Sequence, residues 1–372
     1  MNISALRNVG LVGILLCFVL GGGATLAAKD KDEAQVKERK KSRIIFSPIA
    51  YYTPETRFAY GAAGSYIFRL SKDRPNDRPS SLSPIAVYTQ EKQFYAQIKS
   101  LVYLKNEKYQ IELNLKIQDY PDKFFGIGND NSLEDKESYT SQSQSVLFTF
   151  LRKIKEGLHF GFQYDYARWD ITEFKAGGFL ADGSIPGSRE GNVSGIGIML
   201  NLDSRDNIFA PTRGEWIEFS ARFYNEVLGS AFNYSNFKLN VRKYIPVFKS
   251  HIIAAQVIIQ NQGGNVPFVN MAKIGGSYLM RGYYDGRFRD KRMAVAQLEY
   301  RVPLFWRLGV VAFAGIGNVA DKWSNFDLPG MKRSLGFGFR YLFDRKEKIY
   351  VRMDFGFGLD DDGFYLSIFE AF

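Results

Sequence analysis

The sequence contains one cysteine, Cys17, in 372 residues. That cysteine lies within residues 1–28, where Arg7 precedes an apolar stretch at 9–20 and small residues follow at 25–28. This arrangement is typical of a secretory signal peptide. Removal of the signal would leave a chain without a thiol, which excludes disulfides, cysteine-ligated zinc and cysteine nucleophiles.

Histidine is almost as rare, being limited to His159 and His251. A phospholipase or protease would need a serine or aspartate dyad beside a histidine. A Gly-x-Ser-x-Gly nucleophile turn is also missing. A hydrolase is therefore the least favoured class, and we expect a protein without enzymatic activity, cofactor or bound metal.

Long apolar runs are absent after residue 28, where no uncharged run approaches the roughly 20 residues of a membrane-spanning helix. Charge is unequal, with 49 Lys and Arg against 39 Asp and Glu and a formal net charge of +10. The basic residues are scattered along the chain, so a solvated lumen and anionic lipid headgroups explain them better than nucleic acid does. Residues 29–43 have mixed charge and few apolar side chains, which predicts a flexible tail.

What the sequence has in abundance is alternation of apolar with polar or small residues, most clearly over residues 109–118, 158–166 and 349–358. Successive side chains of a strand point to opposite faces, so each run has one apolar and one polar face. Many runs reach ten residues, whereas soluble strands typically have about five or six. Aromatic residues end the apolar rows, as they do at the two interfaces of a membrane.

Counting such runs backward from Phe372 gives about sixteen strands. An even number places both ends of the chain on one side of a membrane, and the long connections, such as 263–291, on the other. Open sheet edges do not occur in lipid, so the strands must close. We therefore predict an all-β fold, a transmembrane antiparallel β-barrel over residues 44–372, preceded by the signal peptide and by a periplasmic tail at 29–43. Its stability should come from backbone pairing and lipid contact rather than from a dry core.

The longest connection contains a basic, glycine-rich and aromatic stretch at residues 275–291. Its centre, Arg281-Gly282-Tyr283, resembles the Arg-Gly-aromatic lid motif of the BamA/TamA superfamily of outer-membrane barrels, also known as bacterial surface antigens. The resemblance implies that an extracellular lid loop, residues 263–291, folds inward and is locked there by these three residues.

The acceptor that the resemblance implies is a carboxylate, which suits an arginine because its fork of donors keeps its charge. Glu299 lies in a Glu-x-Arg-x-Pro segment similar to the strand that follows the lid in the family. In the next strand Gly315 stands where the family often carries aspartate, so Glu299 alone is expected to hold Arg281. The alternative is that Arg281 has no special role among several basic residues of the loop, which include Arg287 and Arg289.

A second resemblance lies between the middle strands, where the sequence is similar to the Asp-x-Arg-Asp…Pro-x-x-Gly turn of the same superfamily. Aspartate, proline and glycine at these offsets organise a turn through side-chain hydrogen bonds and fixed dihedral angles, so a structural role is expected. The residues concerned are Asp203, Arg205, Asp206, Pro211 and Gly214.

A third resemblance is at the last strand, where Phe364, Leu366, Ile368 and the aromatic Phe372 form an apolar row. Such a row resembles the signal by which outer-membrane barrels are recognised for insertion. It implies that the barrel-assembly machinery is a partner during insertion of this chain.

Residues 29–43 are too few to fold into a periplasmic POTRA domain, so the chain resembles a barrel-only member of the family. The resemblance implies an integral outer-membrane protein, in contact with lipid and lipopolysaccharide, that aids insertion or translocation of macromolecules with separate periplasmic partners. Pro48 in the first strand lacks a backbone donor, which is compatible with a loose seam between the first and last strands. The alternative is a passive pore or a structural surface-antigen barrel.

Overall fold

The structure, a computed structural model, describes residues 42–372 except 71–79, 106, 249, 328 and 346–347. The predicted signal peptide, residues 1–28, lies outside the described residues. The predicted tail, residues 29–43, also lies outside them apart from its last two positions, which begin the first strand.

The described part of the chain contains eighteen strands, of which sixteen form one closed antiparallel barrel, as the sequence predicts. The barrel strands are β1 (Ser42–Thr53), β2 (Arg57–Phe68), β3 (Ser80–Thr89), β4 (Phe94–Leu104), β5 (Tyr109–Phe124), β6 (Glu137–Lys155), β7 (Leu158–Phe174), β8 (Glu190–Asp203), β9 (Gly214–Tyr224), β10 (Tyr234–Val247), β11 (His251–Gly264), β14 (Arg292–Pro303), β15 (Leu308–Ala320), β16 (Lys332–Asp344), β17 (Ile349–Phe357) and β18 (Asp362–Ile368). The other two, β12 (Ala272–Ile274) and β13 (Phe288–Asp290), pair with each other within the connection 265–291.

Barrel strands that follow one another in the chain are neighbours in the ring, and β11 pairs directly with β14 across the 265–291 connection. The ring closes where β18 meets β1. Because the number of strands is even, β1 begins and β18 ends at the same rim. The long connections 125–136, 175–189 and 265–291 all leave from the opposite rim.

Helix contributes little to this architecture. In the part of the chain that the structure describes, the helices are single turns of 3₁₀ helix at Glu226–Leu228, Phe268–Asn270 and Trp323–Asn325. None of them is long and apolar enough to cross a membrane.

The two faces of the barrel wall differ in polarity, as the alternation predicts. On β16, Leu335, Phe337 and Phe339 are exposed, whereas Ser334 and Arg340 of the opposite face are buried. An exposed apolar face and a covered polar face are the reverse of a soluble barrel. Lipid is the medium that suits such a wall.

Contrary to the expectation of a barrel without a dry core, buried apolar clusters lie against the covered face of the wall. In one of them Ile274, Met280 and Tyr283 of the 265–291 connection pack with Met293 and Val295 of β14. The alternation along each strand does not reveal this cluster, because five of its nine buried residues belong to the connection.

Candidate functional site

The connection 265–291, called here the 265–291 loop, crosses the interior of the ring. The Tyr284 hydroxyl donates to Asp122 of β5 at 3.0 Å, while Arg281 donates to Glu299 of β14. In the ring β5 and β14 are separated by β6 to β11, so they lie on opposite sides. A segment that contacts both strands must span the space between them.

Arg281 is bonded to two carboxylates of the wall. Its Nη2 donates to Glu299, and its Nη1 donates to Asp354 Oδ2 at 2.5 Å. The guanidinium also lies 3.6 Å from the centre of the Phe313 ring. All three charged side chains are at most 2% exposed, so loss of either carboxylate would leave buried arginine charge with fewer counter-charges.

The prediction that Glu299 alone holds Arg281 is therefore incomplete. Asp354 lies on β17, where Arg352 and Asp354 are buried and Met353 between them is 38% exposed. The alternation of residues 349–358 places Asp354 on the polar face, and this signal could have identified it as a second acceptor. What the sequence did not show is that β17 is close enough to Arg281, which depends on the path of the loop.

Gly315, at the position where the resemblance leads one to expect aspartate, has a steric role instead. A Cβ on this residue would lie 2.7 Å from the sulfur of Met280. Met280 is fully buried and its N–H donates to Gln297 at 3.2 Å. The missing carboxylate of β15 thus makes room for the residue that precedes Arg281, and Asp354 supplies the second acceptor from β17.

Gly282 is required by its backbone conformation and by its surroundings. Its φ is 113°, in a region that side chains disfavour, and a Cβ would lie 2.6 Å from the carbonyl carbon of Phe357. The Gly282 N–H donates to the Tyr365 hydroxyl at 3.0 Å. This close approach of the Gly282 backbone is made against the end of β17.

Tyr283 completes the motif by bonding to the backbone of two wall segments. Its hydroxyl donates to the Arg333 carbonyl oxygen at 2.7 Å and accepts from the Leu359 N–H at 2.9 Å. The ring is fully buried and lies over Gly358, where a Cβ would be 2.5 Å from a ring carbon. The glycines of β17 and its turn therefore form the surface on which the motif lies.

The other arginines of the loop have different partners. Arg287 Nη1 donates to Asp360 at 2.9 Å, in the turn between β17 and β18, and Arg289 Nε donates to the Gly286 carbonyl oxygen within the loop. Of these three arginines, Arg281 is the one bonded to carboxylates within barrel strands. This difference favours the lock over the alternative that Arg281 has no special role.

At the rim opposite the start of β1 and the end of β18, Glu55 of the β1–β2 turn accepts from the Asp285 N–H at 2.9 Å. Burial and the nearby Asp285 carboxylate raise the pKa of Glu55 to about 7. Lys273 pairs with the same Asp285 at 2.7 Å. Sequence reasoning did not identify Glu55, because nothing in its local sequence indicates contact with a loop 230 residues away.

The predicted turn between β8 and β9 has the hydrogen bonds that its residue types suggest. Arg205 Nε and Nη2 donate to Asp203 at 2.9 and 2.8 Å. Asp206 accepts from the N–H groups of Thr212 and Arg213 at 2.8 and 3.2 Å. The two aspartates thus fix the two ends of the connection.

Pro211 and Gly214 lie at the end of this turn, where the chain enters β9. Gly214 has a φ of 98°, and a Cβ there would lie 2.3 Å from the Ser204 carbonyl oxygen. Pro211 is buried. Neither residue contacts the 265–291 loop through any hydrogen bond of the described residues, and the structural role of the turn stays a prediction.

The apolar row of the last strand is shorter than the sequence predicts. Phe364, Leu366 and Ile368 share one face of β18, but the strand ends at Ile368. Phe369 then has a left-handed φ of 71°, and Phe372 is turned into the barrel at 4% exposure. Phe372 therefore does not continue the outward row, and the role of the row as an insertion signal stays a prediction.

The two histidines are not near one another. His251 Nδ1 lies 2.5 Å from the Tyr300 hydroxyl, between β11 and β14, and His159 is on β7, with β8, β9 and β10 between. Among the described residues no group of three or more His, Cys, Asp or Glu side chains is placed to hold a metal ion. The chemistry that the site supports is the electrostatic anchoring of a loop.

Residues 86–359 match the family model described as the Omp85 superfamily domain. Among solved structures, BamA from Haemophilus ducreyi lacking POTRA domains 1–3 is similar, with a TM-score of 0.62 and 14% identity over 89% of this chain and 70% of that one. CdiB from Acinetobacter baumannii gives 0.57 and 12% over 88% and 60%, and CdiB from Escherichia coli gives 0.54 and 9% over 89% and 68%. These likenesses concern the fold, and comparison with curated proteins gives no match. Because the family match covers most of the barrel, the chain belongs to the Omp85 superfamily of outer-membrane β-barrels.

Proposed function

We propose that this barrel inserts macromolecules into the outer membrane or passes them across it, with separate partner proteins. The observation that carries the proposal is the weak closure of the ring. Among the described residues β1 and β18 share one register pair, Tyr52 opposite Leu366. The next shortest ladder of the ring, between β17 and β18, has seven pairs, from Val351 opposite Ile368 to Phe357 opposite Asp362.

A seam of this kind is the place where the barrel opens at the lowest cost. Every backbone group that loses its partner in lipid is costly, and at this seam few inter-strand bonds need to break. An opened edge presents unpaired N–H and C=O groups, to which an extended polypeptide can add as a strand. Family membership and the fold shared with BamA and CdiB support this function.

The 265–291 loop is proposed to be an extracellular lid that closes the lumen between transport events. Its support is the burial of Arg281 against Glu299 and Asp354. The exposed apolar face of the wall supports contact with lipid and lipopolysaccharide. The signal peptide, the periplasmic partner and recognition by the barrel-assembly machinery stay predictions from the sequence, as does the absence of enzymatic activity.

The test is a reversible lock of the seam by a disulfide. In a Cys17→Ser background, Tyr52→Cys with Leu366→Cys would join β1 to β18, and Phe337→Cys with Phe355→Cys would join β16 to β17 as the matched control. Proteoliposomes would be given either an unfolded eight-stranded outer-membrane barrel or an unfolded secreted polypeptide, and insertion or entry would be timed.

We expect the wild type and the control to accelerate at least one of the two processes over empty liposomes. The locked seam should remove the acceleration, and reduction should restore it. An unlocked barrel that accelerates neither process would contradict the proposed function. Equal acceleration by the oxidised, locked barrel would contradict the role of the seam.

A passive pore is the second candidate, because the covered face of the wall carries polar side chains such as Gln97 and Asn114, which are hydrogen-bonded to each other at 2.7 Å. Planar-bilayer recordings separate the two. A lid predicts low conductance that rises in Arg281→Ala, whereas a passive pore conducts steadily and to the same extent in both proteins. An outer-membrane hydrolase would instead show turnover that is lost when His159 or His251 is changed.

A further inference from the structure

Residues 369–372 turn back into the barrel after β18. The N–H of Phe369, the residue with the left-handed backbone, donates to the Tyr350 carbonyl oxygen at 2.8 Å. The three residues that follow are each at most 9% exposed. A left-handed conformation is unfavourable for phenylalanine, so the contacts made by these three residues must compensate for it.

If β18 continued as a regular strand, the side chains of Phe369 and Glu370 would each point to the opposite face of the wall from the one they occupy in the structure. Glu370 would follow Leu366 and Ile368 on the lipid-facing side, and Phe369 would point inward. In the structure Phe369 is 41% exposed and its ring stacks on Phe209, with the centroids 5.2 Å apart. The turn therefore removes a carboxylate from the lipid side and places it inside, where it needs partners.

The partners of the turned segment are two arginines of the wall. Arg340 Nε donates to Glu370 at 2.8 Å, and Arg301 Nε lies 4.0 Å from the same carboxylate. Arg301 Nη2 also donates to the Phe372 carbonyl oxygen at 2.7 Å. Both arginines are at most 6% exposed.

The same two arginines hold the carboxylates that anchor the loop. Arg301 Nε donates to Glu299 at 2.8 Å, and Arg340 Nη1 donates to Asp354 at 2.6 Å. Each acceptor of the loop thus shares an arginine with Glu370. Arg281 of the loop and Glu370 of the turned segment therefore belong to one buried cluster of charges. They are linked through the wall residues Arg301 and Arg340 rather than by a bond to each other.

The charges of this cluster make the two segments depend on each other. Loss of Glu370 would remove a negative charge that faces Arg301 and Arg340 and would increase the repulsion on Arg281. Loss of Arg281 would remove one of the charges that attract Glu370. The members are Arg281, Arg301, Arg340 and Arg352 with Glu299, Asp354 and Glu370.

We propose that residues 369–372 form a latch in which Glu370, through Arg301 and Arg340, stabilises the inserted position of the 265–291 loop. Release of the latch at the end of β18 and release of the loop then favour each other. The coupling is reciprocal, because a coupling free energy acts equally in both directions. The coupling itself is argued from the ion pairs of the cluster, and only its use during transport rests on the proposed function.

The test measures both segments in the same barrel, in detergent, with a water-soluble maleimide. In a Cys17→Ser background, Ala272→Cys reports on the loop and Ala371→Cys on the latch, since these alanines are 2% and 5% exposed. Each reporter is combined with Glu370→Gln or with Arg281→Gln. The control is Glu112→Gln, which removes a carboxylate from the polar face of β5.

We expect Glu370→Gln to speed labelling at position 272, and Arg281→Gln to speed labelling at position 371, each by about fivefold or more. The double variant should fall short of the product of the two single effects. The control should leave both rates unchanged, and heat-modifiable migration would confirm that every variant is folded. A folded Glu370→Gln barrel that labels faster at 371 but at the wild-type rate at 272 would overturn the latch. Because labelling does not measure transport, a barrel that moves no polypeptide could still pass this test, and one that does could still fail it.

Discussion

The backbone of Gly282 lies directly against Gly356 of β17. A Cβ on Gly356 would be 2.7 Å from the Gly282 nitrogen and 2.6 Å from the Arg281 carbonyl carbon. Real Cβ atoms do not approach backbone so closely, and backbone cannot yield as a flexible side chain does. The absence of a side chain at Gly356 therefore determines how deeply the loop inserts. The hydrogen bonds of Arg281 depend on that depth.

Gly356→Ala is accordingly expected to lift the loop from the wall while leaving the barrel closed. Trypsin reports the change, because Arg281, Arg287 and Arg289 are at most 4% exposed in the folded protein and become cleavable once the loop is displaced. Gly263→Ala is the matched control, since a Cβ there would have Ser235 Oγ at 3.5 Å as its nearest neighbour. A Gly356→Ala barrel as resistant as the control would contradict the steric argument.

The strand number could be predicted because it depends on the alternation of side chains within each strand. The Arg281–Glu299 pair could be expected because the lid motif and the Glu-x-Arg-x-Pro segment resemble those of the BamA/TamA superfamily, and alternation places Glu299 on the polar face of its strand. The second acceptor and the contact with Glu55 could not be predicted, because they depend on which distant strands the loop crosses. The latch had a local signal that was missed: Glu370 interrupts the apolar row before Phe372, so a regular strand would have placed a carboxylate on the lipid side.

The two acceptors of Arg281 should differ in their contribution to stability. Asp354 accepts from Arg281, Arg340 and Arg352, whereas Glu299 accepts from two arginines. Breaking a buried ion pair by removing one partner costs about 3–5 kcal/mol. Asp354→Asn should therefore lower the free energy of unfolding more than Glu299→Gln does, as measured by urea titration of the refolded barrel.

A second substitution checks the cause of that loss. Adding Arg352→Met to Asp354→Asn removes one of the charges left unpaired and should recover part of the stability. The single variant Arg352→Met gives the reference. If Arg352→Met lowers the free energy of unfolding by the same amount in the Asp354→Asn background as in the wild type, the two residues act independently and the explanation fails.

The turn between β8 and β9 should affect stability without affecting the loop. Asp206→Ala removes the acceptor of two backbone N–H groups and of the Thr212 hydroxyl, and loss of such bonds costs about 1–3 kcal/mol. Urea titration should show the loss, while trypsin resistance of the 265–291 loop stays at the wild-type level. The exposed Glu134→Ala serves as control, and early cleavage of the loop in Asp206→Ala would contradict a purely structural role.

The stability of the barrel should depend on pH through Glu55. Burial and the Asp285 carboxylate raise the pKa of Glu55 from 4.5 to about 7, so the folded barrel binds a proton there that the unfolded chain releases. This contribution is complete below pH 4.5 and is lost as the pH rises through about 7. It amounts to at most about 3 kcal/mol, and urea titrations between pH 5 and 8 measure it.

Two variants assign that pH dependence to one group among the several that titrate nearby. Glu55→Gln can still accept from the Asp285 N–H but cannot ionise. Its free energy of unfolding should therefore fall less than that of the wild type as the pH rises from 5 to 8. Glu91→Gln, in the neighbouring turn, removes an exposed carboxylate paired with Arg57 at 3.6 Å and should keep the full dependence. Lys273 and Asp122, which also lie near Asp285, are present in both variants. If the slope is the same in Glu55→Gln and in the wild type, the proton belongs to another group of this rim.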